Sequence, residues 1–177
     1  MKKRVIKNVL IPTDFSNLSL GALDYAKILM QFQSPKIYLL HVIDKGTSNK
    51  KGKKVNSRES FESREKTAMK QLNSIAGQHF SNAHIVTLAV RRGDPAKEIV
   101  KLAQEEKIDL IIISTHGLTG IAHVLLGSVA EKVVRYSPVP VLSVKPQKFQ
   151  AKLVYESDID EQLHLKPPKE KTKKHYE

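Results

Sequence analysis

Short apolar runs alternate with segments of helical spacing along most of this chain. Five of these runs are rich in Val, Ile and Leu, and each is short enough for a strand. Near-continuous apolar character is typical of strands that are covered on both faces. The sequence therefore predicts five buried strands, at residues 5–12, 36–42, 83–91, 109–114 and 138–144.

Between the strands, apolar residues recur every three or four positions, which is the spacing of a helix with one buried face. Helices are predicted at residues 18–33, 57–79, 95–107 and 127–136. Ser16 and Asp94 are predicted N-caps, because both residue types accept hydrogen bonds from a first helical turn. Ser128 and Glu131 have the spacing of a capping box at the start of the fourth helix.

The order of these elements is strand–helix four times, followed by a final strand. Such alternation with short connections predicts an α/β domain with a parallel sheet and helices on both faces. We expect an open, Rossmann-like sheet of five strands in the order 3-2-1-4-5 over residues 1–146. The last strand should lie at an edge, because Pro140 cannot donate a ladder hydrogen bond. Residues 147–177 lose the periodicity and are predicted to be a flexible, basic tail.

The most informative connection follows the fourth strand. Gly117, Gly120 and Gly127 punctuate it, and Ser128 opens the next helix. Glycine lets a ligand approach the backbone closely, and a helix N-terminus offers N–H groups and the positive end of a dipole. In the expected strand order this connection lies beside residues 12–14, where ligands of such sheets bind. The pattern predicts an anion site, above all a site for phosphate.

The net charge of +12 is concentrated in one loop and at the chain ends. Six basic and no acidic residues lie between residues 45 and 58, and five lysines follow residue 165. Solvated basic segments are one interpretation, and an electrostatic surface for nucleic acid or anionic lipid is the other. No aromatic residue within 45–58 could stack on bases, so we favour solvated segments over nucleic-acid binding.

Cysteine is absent from the chain, which excludes disulfides and thiolate metal sites. No apolar run reaches the roughly 20 residues that span a bilayer, and no signal-peptide pattern follows the basic N-terminus. We therefore expect a cytoplasmic protein that does not insert into a membrane.

Several motifs make residues 2–145 similar to the universal stress protein family. They are VLIPTDFS at residues 9–16, GDP at 93–95, STHG at 114–117, LGSVAEKV at 126–133 and SPVPVL at 137–142. These motifs stand in the order and spacing of that family. Its nucleotide-binding branch carries glycine, two residues, glycine, nine residues, and then glycine followed by serine or threonine. Gly117, Gly127 and Ser128 match this pattern, whereas Ser114 stands where the branch has its first glycine.

The resemblance implies roles for residues in several of these motifs. Pro12 and Thr13 would line an adenosine, and Val42 would contact adenine through its backbone. Asp14 would bond the ribose or help to hold a divalent ion. The residues implied to hold the phosphates are Gly117, Gly127, Ser128 and Val129, and Ser114 would lie where the backbone approaches the ligand.

We therefore expect a stress-response protein that binds ATP, or AMP or ADP, as a sensor or regulator, with Mg²⁺ or Mn²⁺ as the candidate ions. Catalysis is expected to reach slow ATP hydrolysis at most. Phosphoryl transfer needs several metal-holding groups, and Asp14 is the acidic residue that the sequence brings to the site. As in the family, the edge strand at residues 139–144 would pair two copies into a homodimer.

Two alternative functions stay open. The first is a protein-interaction module of the same fold that has lost the nucleotide, which Ser114 favours. The second is a nucleic-acid or anionic-surface binder that uses residues 45–58 and the tail.

Overall fold

The computed structural model describes residues 5–44, 57–80, 86–115 and 127–145, which form five strands and four helices. The strands are β1 (Asn8–Pro12), β2 (Lys36–Asp44), β3 (Val86–Gly93), β4 (Leu110–Ser114) and β5 (Val141–Val144). The helices are α1 (Asn17–Phe32), α2 (Ser57–His79), α3 (Pro95–Glu105) and α4 (Ser128–Tyr136). Strands and helices alternate along the chain, as the sequence predicts.

The five strands form one parallel sheet in the order β3-β2-β1-β4-β5. β1 is central: Leu10 is aligned with Tyr38 of β2 on one side and with Ile111 of β4 on the other. The carboxyl ends of β1 and β4 therefore flank the point at which the strand order reverses. The predicted topology is confirmed, including the position of β5 at an edge.

Hydrophobic cores lie on both faces of the sheet, because successive side chains of a strand point to opposite faces. Val9 and Ile11 of β1 pack in a core with residues of α1 and α2. Leu10, between them, packs with residues of α3 and α4. These side chains are almost completely buried, and burial of each contributes about 1.5–3 kcal/mol. The prediction of helices on both faces is thus confirmed.

Several strand ends differ from the prediction. β1 begins at Asn8 instead of residue 5, and the carboxylate of Asp109 accepts hydrogen bonds from the Lys7 and Asn8 N–H groups at 2.8 and 3.0 Å. β5 begins at Val141 instead of residue 138, because the Ser137 hydroxyl bonds both backbone groups of Val139 and holds a turn there. β2 and β3 each continue two residues beyond their predicted ends.

The predicted N-caps of α1 and α3 are confirmed. The Ser16 hydroxyl accepts a hydrogen bond from the Ser19 N–H, and the Asp94 carboxylate accepts one from the Lys97 N–H. The predicted capping box of Ser128 and Glu131 is wrong. Gly127 is the N-cap of α4, and no side chain caps this helix among the described residues.

The capping box fails because the helix begins one residue earlier in register than the motif requires. The Glu131 N–H donates to the Gly127 carbonyl oxygen at 2.9 Å, which makes Gly127 the N-cap and Ser128 the first helical residue. The Gly127 N–H donates to the Thr115 carbonyl oxygen at 2.7 Å. Glu131 then lies four residues after the cap, and its carboxylate instead accepts a hydrogen bond from Arg135 at 3.1 Å.

Parts of the sequence-based prediction fall outside the described residues. These are the start of the predicted third strand at residues 83–85, the basic loop at 45–56, Gly117, Gly120 and the tail at 147–177. Within the described ranges, no helix is both long and apolar enough to cross a membrane.

Candidate functional site

A cavity of about 240 Å³ opens at the carboxyl ends of β1, β2 and β4, beside the N-terminus of α4. Eight of the nine predicted site residues line it, and the ninth, Gly117, lies outside the described residues. The eight lining residues are Pro12, Thr13, Asp14, Val42, Ser114, Gly127, Ser128 and Val129. The fold thus brings together residues that are separated by more than 100 positions in the sequence.

The connection from β1 to α1 forms one wall and is fixed by its own hydrogen bonds. The Thr13 N–H donates to the Leu40 carbonyl oxygen at 2.8 Å, and the Thr13 and Ser19 hydroxyl oxygens lie 2.9 Å apart. Asp14 Oδ1 accepts hydrogen bonds from the N–H and the hydroxyl of Ser16, at 3.0 and 2.6 Å. Because Ser16 also caps α1, the Asp14 carboxylate is held in a defined position at the cavity.

Phe15, in the same connection, has a backbone φ of 67°, a left-handed conformation that is uncommon for a bulky residue. Its N–H donates to the Thr13 hydroxyl at 3.0 Å, and its ring stacks on the His41 ring with centroids 4.2 Å apart. These contacts offset a strain of order 1–3 kcal/mol, and such strain is found mainly at functional sites.

The connection from β4 to α4 forms the opposite wall. Ser114 and Thr115 are buried, and the Thr115 N–H donates to the Val144 carbonyl oxygen at 2.9 Å. A Cβ atom at position 127 would meet the Thr115 carbonyl oxygen at 3.0 Å, which is closer than most real contacts of a Cβ. A side chain at position 127 would therefore force the two backbone segments apart by a few tenths of an ångström.

The N-terminus of α4 faces the cavity through Ser128, Val129 and Ala130. The first N–H groups of any helix have no partner within the helix, and here no side chain of the described residues caps them. Together with the positive end of the helix dipole, these groups suit an anion such as phosphate. The absence of the predicted capping box thus makes this helix end more suitable for an anion.

His41 also lines the cavity, although the sequence analysis did not single it out. Its Nδ1 lies 2.9 Å from the Thr13 carbonyl oxygen, and because a carbonyl only accepts, Nδ1 carries the proton in this bond. The ring also borders a second cavity, beside Arg64 of α2. The signal available in the sequence was its place near the carboxyl end of a predicted strand.

Burial lowers the pKa of His41 below its ordinary value of 6.5, and the nearby positive charge of Arg64 lowers it further. The hydrogen bond to Thr13 and the negative charge of Asp14 oppose that shift. The imidazole is therefore neutral near pH 7. The sequence analysis also missed the apolar wall that Leu40, Pro95 and Ile99 contribute.

Asp14 is the acidic residue among the described residues that line the cavity. Across the described ranges, no group of three or more His, Cys, Asp or Glu side chains is arranged to hold a metal ion. A divalent ion at this site would therefore need oxygen atoms of a bound ligand in addition to the Asp14 carboxylate.

Comparison with known proteins gives consistent results over this part of the chain. The model of the universal stress protein family matches residues 6–145. Universal stress protein MJ0531 of Methanocaldococcus jannaschii is 33% identical over 149 residues, which cover 82% of this chain and 86% of that protein. Universal stress protein MJ0577 of the same organism is 34% identical over 156 residues, covering 78% of this chain and 94% of that protein.

Solved structures show the same similarity. The structure of MJ0577 superposes with a TM-score of 0.66 at 34% identity, and the match covers 81% of this chain and 99% of that chain. A universal stress protein in complex with cAMP superposes with a TM-score of 0.54 at 25% identity, covering 80% and 98%.

The environment of His41 predicts a pH dependence of stability. Its pKa is lower in the folded protein than in the unfolded chain, so the unfolded state binds the proton more readily and stability falls as the pH drops below about 6.5. We expect the melting temperature to fall less between pH 7.5 and 5.5 in His41→Asn, whose amide can still donate to Thr13, than in the wild type. His79→Asn is the comparison variant, because burial lowers the pKa of His79 as well. It should remove the part of the pH dependence that comes from His79 and leave the part that comes from His41. An equal fall in melting temperature between pH 7.5 and 5.5 in the wild type and in His41→Asn would contradict the lowered pKa of His41.

Proposed function

The chain belongs to the universal stress protein family, and from this membership we propose that it binds ATP or a related adenine nucleotide, AMP or ADP, in the cavity at the carboxyl edge of the sheet. It would act in a stress response as a sensor or regulator. The observation that carries this proposal is the uncapped N-terminus of α4, directed into a cavity that eight of the expected binding residues line.

The two walls would take different parts of the nucleotide. Pro12 and Thr13, with the backbone of Val42, would line the adenosine, beside the apolar surface from α3. Asp14 would bond the ribose or help to hold a divalent ion. The phosphates would lie at the start of α4, held by the N–H groups of its first turn, and the residues proposed for this role are Gly117, Gly127, Ser128 and Val129.

The size of the cavity supports partial enclosure of the ligand. Its volume of about 240 Å³ is below the roughly 300–1,000 Å³ of typical ligand pockets. A nucleoside-sized group would fill it, and the phosphates would then extend along the mouth. The related universal stress protein in complex with cAMP is consistent with an adenine nucleotide as the ligand class.

Mg²⁺ or Mn²⁺ would bind together with the phosphates, because these ions prefer oxygen ligands and Asp14 is the carboxylate available among the described cavity residues. When bound, the ion would neutralise phosphate charge. The surrounding residues supply binding and orientation: Asp14 is fixed by Ser16, and His41 holds the Thr13 carbonyl. This arrangement fits a binding protein with slow ATP hydrolysis at most.

We also propose a cytoplasmic homodimer in which residues 139–144 pair across the sheet edge. β5 is an edge strand, and an unpaired edge offers backbone groups to a second copy. Leu142 on that strand is partly exposed, and Val134 and Tyr136 at the end of α4 are exposed apolar side chains close to it in the chain. Their burial would favour association.

Ser114 is the residue that favours the alternative, a protein-interaction module without a nucleotide. It lines the cavity where the nucleotide-binding pattern has glycine, so its Cβ and hydroxyl would lie beside a bound nucleotide. Nucleic-acid binding has weaker support, because its candidate residues at 45–58 lie mostly outside the described residues and include no aromatic side chain.

The direct test is to denature the purified protein and identify released small molecules by chromatography. We expect an adenine nucleotide, or, for protein purified empty, a thermal shift with ATP and Mg²⁺ or Mn²⁺.

Gly127→Val should weaken binding at least about tenfold, or roughly 1.4 kcal/mol, because its Cβ would push against the Thr115 carbonyl oxygen and displace the helix end. Gly77→Val is the matched control, since a Cβ there meets no atom within 4 Å. No nucleotide and no thermal shift in the wild type would refute the proposal, and unchanged binding in Gly127→Val would refute the position of the phosphates.

Replacement of Ser114 distinguishes the two leading functions. Ser114→Gly removes a Cβ and a hydroxyl from the cavity wall, so we expect ATP affinity to increase about three- to tenfold, or roughly 0.7–1.4 kcal/mol, by isothermal titration calorimetry. Ser114→Ala keeps the Cβ and separates the contribution of the hydroxyl. Weaker binding in both variants would mean that the serine hydroxyl is itself a nucleotide contact, and absence of binding in all three proteins would favour the interaction module.

A further inference from the structure

An apolar stripe runs along one side of α1. Tyr25, Ile28 and Phe32 are spaced by three and four residues, so they lie above one another on the helix surface. Their exposed fractions are 39%, 51% and 79%, and Phe32 is the most exposed large hydrophobic residue in the described part of the chain. Single exposed apolar residues are ordinary, but three on one side of a helix form a surface that another segment can cover. We refer to these three residues as the α1 flank.

The α1 flank faces away from α2 and toward the β5 edge of the sheet. α1 packs over β1 and β4, whereas α2 packs over β2 and β3, so β5 lies beyond α1 on the side opposite α2. The charges of Lys27 and Asp24 act on His79 at the end of α2, which identifies the side of α1 that faces α2. At about 100° per residue, Lys27 and Asp24 lie roughly 130° and 70° around the helix from the middle of the α1 flank, both in the same direction.

The chain itself continues from this edge. β5 ends at Val144, and 32 residues follow Lys145. Large apolar residues are concentrated in the first 20 residues of that tail, at Phe149, Leu153, Val154, Tyr155, Ile159, Leu163 and Leu165. Residues 166–177 contain five lysines and, among large apolar or aromatic residues, only Tyr176. These two parts of the tail therefore differ in chemistry: residues 166–177 suit solvent, whereas residues 149–165 contain side chains that gain from burial.

We propose that residues 149–165 cover the α1 flank of their own chain. The α1 flank is about 10 Å long, because seven residue steps of 1.5 Å separate Tyr25 from Phe32. The four residues 145–148 can extend about 13 Å from the end of β5. Neighbouring strands are about 5 Å apart, so these four residues carry the chain from β5 toward α1. Tyr25 lies about 12 Å along α1 from Asn17, at 1.5 Å per residue, and the first residues of 149–165 would span that remaining distance. A segment joined by so short a linker is present at an effective concentration in the millimolar range, so modest apolar contact favours the chain's own tail over a second copy.

The absence of cysteine in the chain allows a single attachment site for a photo-crosslinker. Gly21 lies one turn before Tyr25 on the same side of α1, and a Cβ there meets no atom within 4 Å. Full-length Gly21→Cys, labelled with benzophenone maleimide, therefore places the probe beside the α1 flank without removing any of its three residues. Gly77→Cys on α2 is the matched control, because it is also a helical glycine with open space around its Cβ.

After irradiation and proteolysis, mass spectrometry should find adducts between position 21 and residues 149–165 at a yield at least about fivefold above that from position 77, which corresponds to roughly 1 kcal/mol of preference. Adding Ile28→Lys and Phe32→Lys to the Gly21→Cys chain should reduce the yield to the control level. Both lysines replace exposed side chains, and an unchanged melting temperature would verify that the fold is intact.

Three results would overturn the proposal. One is a yield from position 21 no higher than that from position 77. Another is adducts that join isotopically heavy and light chains after mixing, since these would mean that a second copy covers the α1 flank. The third is an adduct yield that persists in the double-lysine variant, because the tail would then approach position 21 without using the apolar side chains.

Discussion

The hydrogen bond from the Gly127 N–H to the Thr115 carbonyl oxygen, at 2.7 Å, is the contact on which the site depends. It brings the two ends of an eleven-residue connection together, 116–126, and so fixes the start of α4 against the end of β4. A side chain at position 127 would push the two segments apart by a few tenths of an ångström. Gly127 is also the N-cap of α4, since its carbonyl oxygen accepts the Glu131 N–H, and because glycine has no side chain to offer, the first N–H groups of α4 stay available at the cavity. The position of Gly127 thus sets both the geometry of the wall and the place where those N–H groups meet the cavity.

The fold could be predicted from the sequence because its strongest signals are repeated along the chain. Apolar runs and helical spacing gave all nine elements in order, and parallel topology follows from that alternation. The ends of elements were less predictable, because they depend on contacts between distant residues. The apolar pattern at residues 5–7 could not reveal that Asp109, about 100 residues away, accepts the N–H groups of Lys7 and Asn8. Likewise, the turn made by the Ser137 hydroxyl shortens β5 although the apolar run is longer.

The cavity residues could be predicted where they belong to sequence motifs, but not where tertiary packing alone brings them to the cavity. The family resemblance, together with the glycine spacing and the neighbouring strand end, pointed to nine residues, and the eight that the structure describes line one cavity. The capping box failed because Ser128 and Glu131 have the correct spacing but the wrong register: the Glu131 N–H bonds the carbonyl oxygen of Gly127, so the helix begins one residue earlier than the motif requires. His41 was missed because its role comes from two partners, the Thr13 carbonyl and the Phe15 ring, that no spacing in the sequence indicates.

The central position of β1 also determines how the site can assemble during folding. β1 pairs with β2, which follows after one helix, and with β4, which lies about 100 residues further along the chain. The wall that contains Asp14 can form early, from local contacts, but the opposite wall exists only after a long loop has closed. A nascent chain that ends before β4 therefore contains half of the cavity and none of the α4 helix end. A ligand of this cavity would consequently bind only the completed domain, and it would stabilise the folded state as a whole.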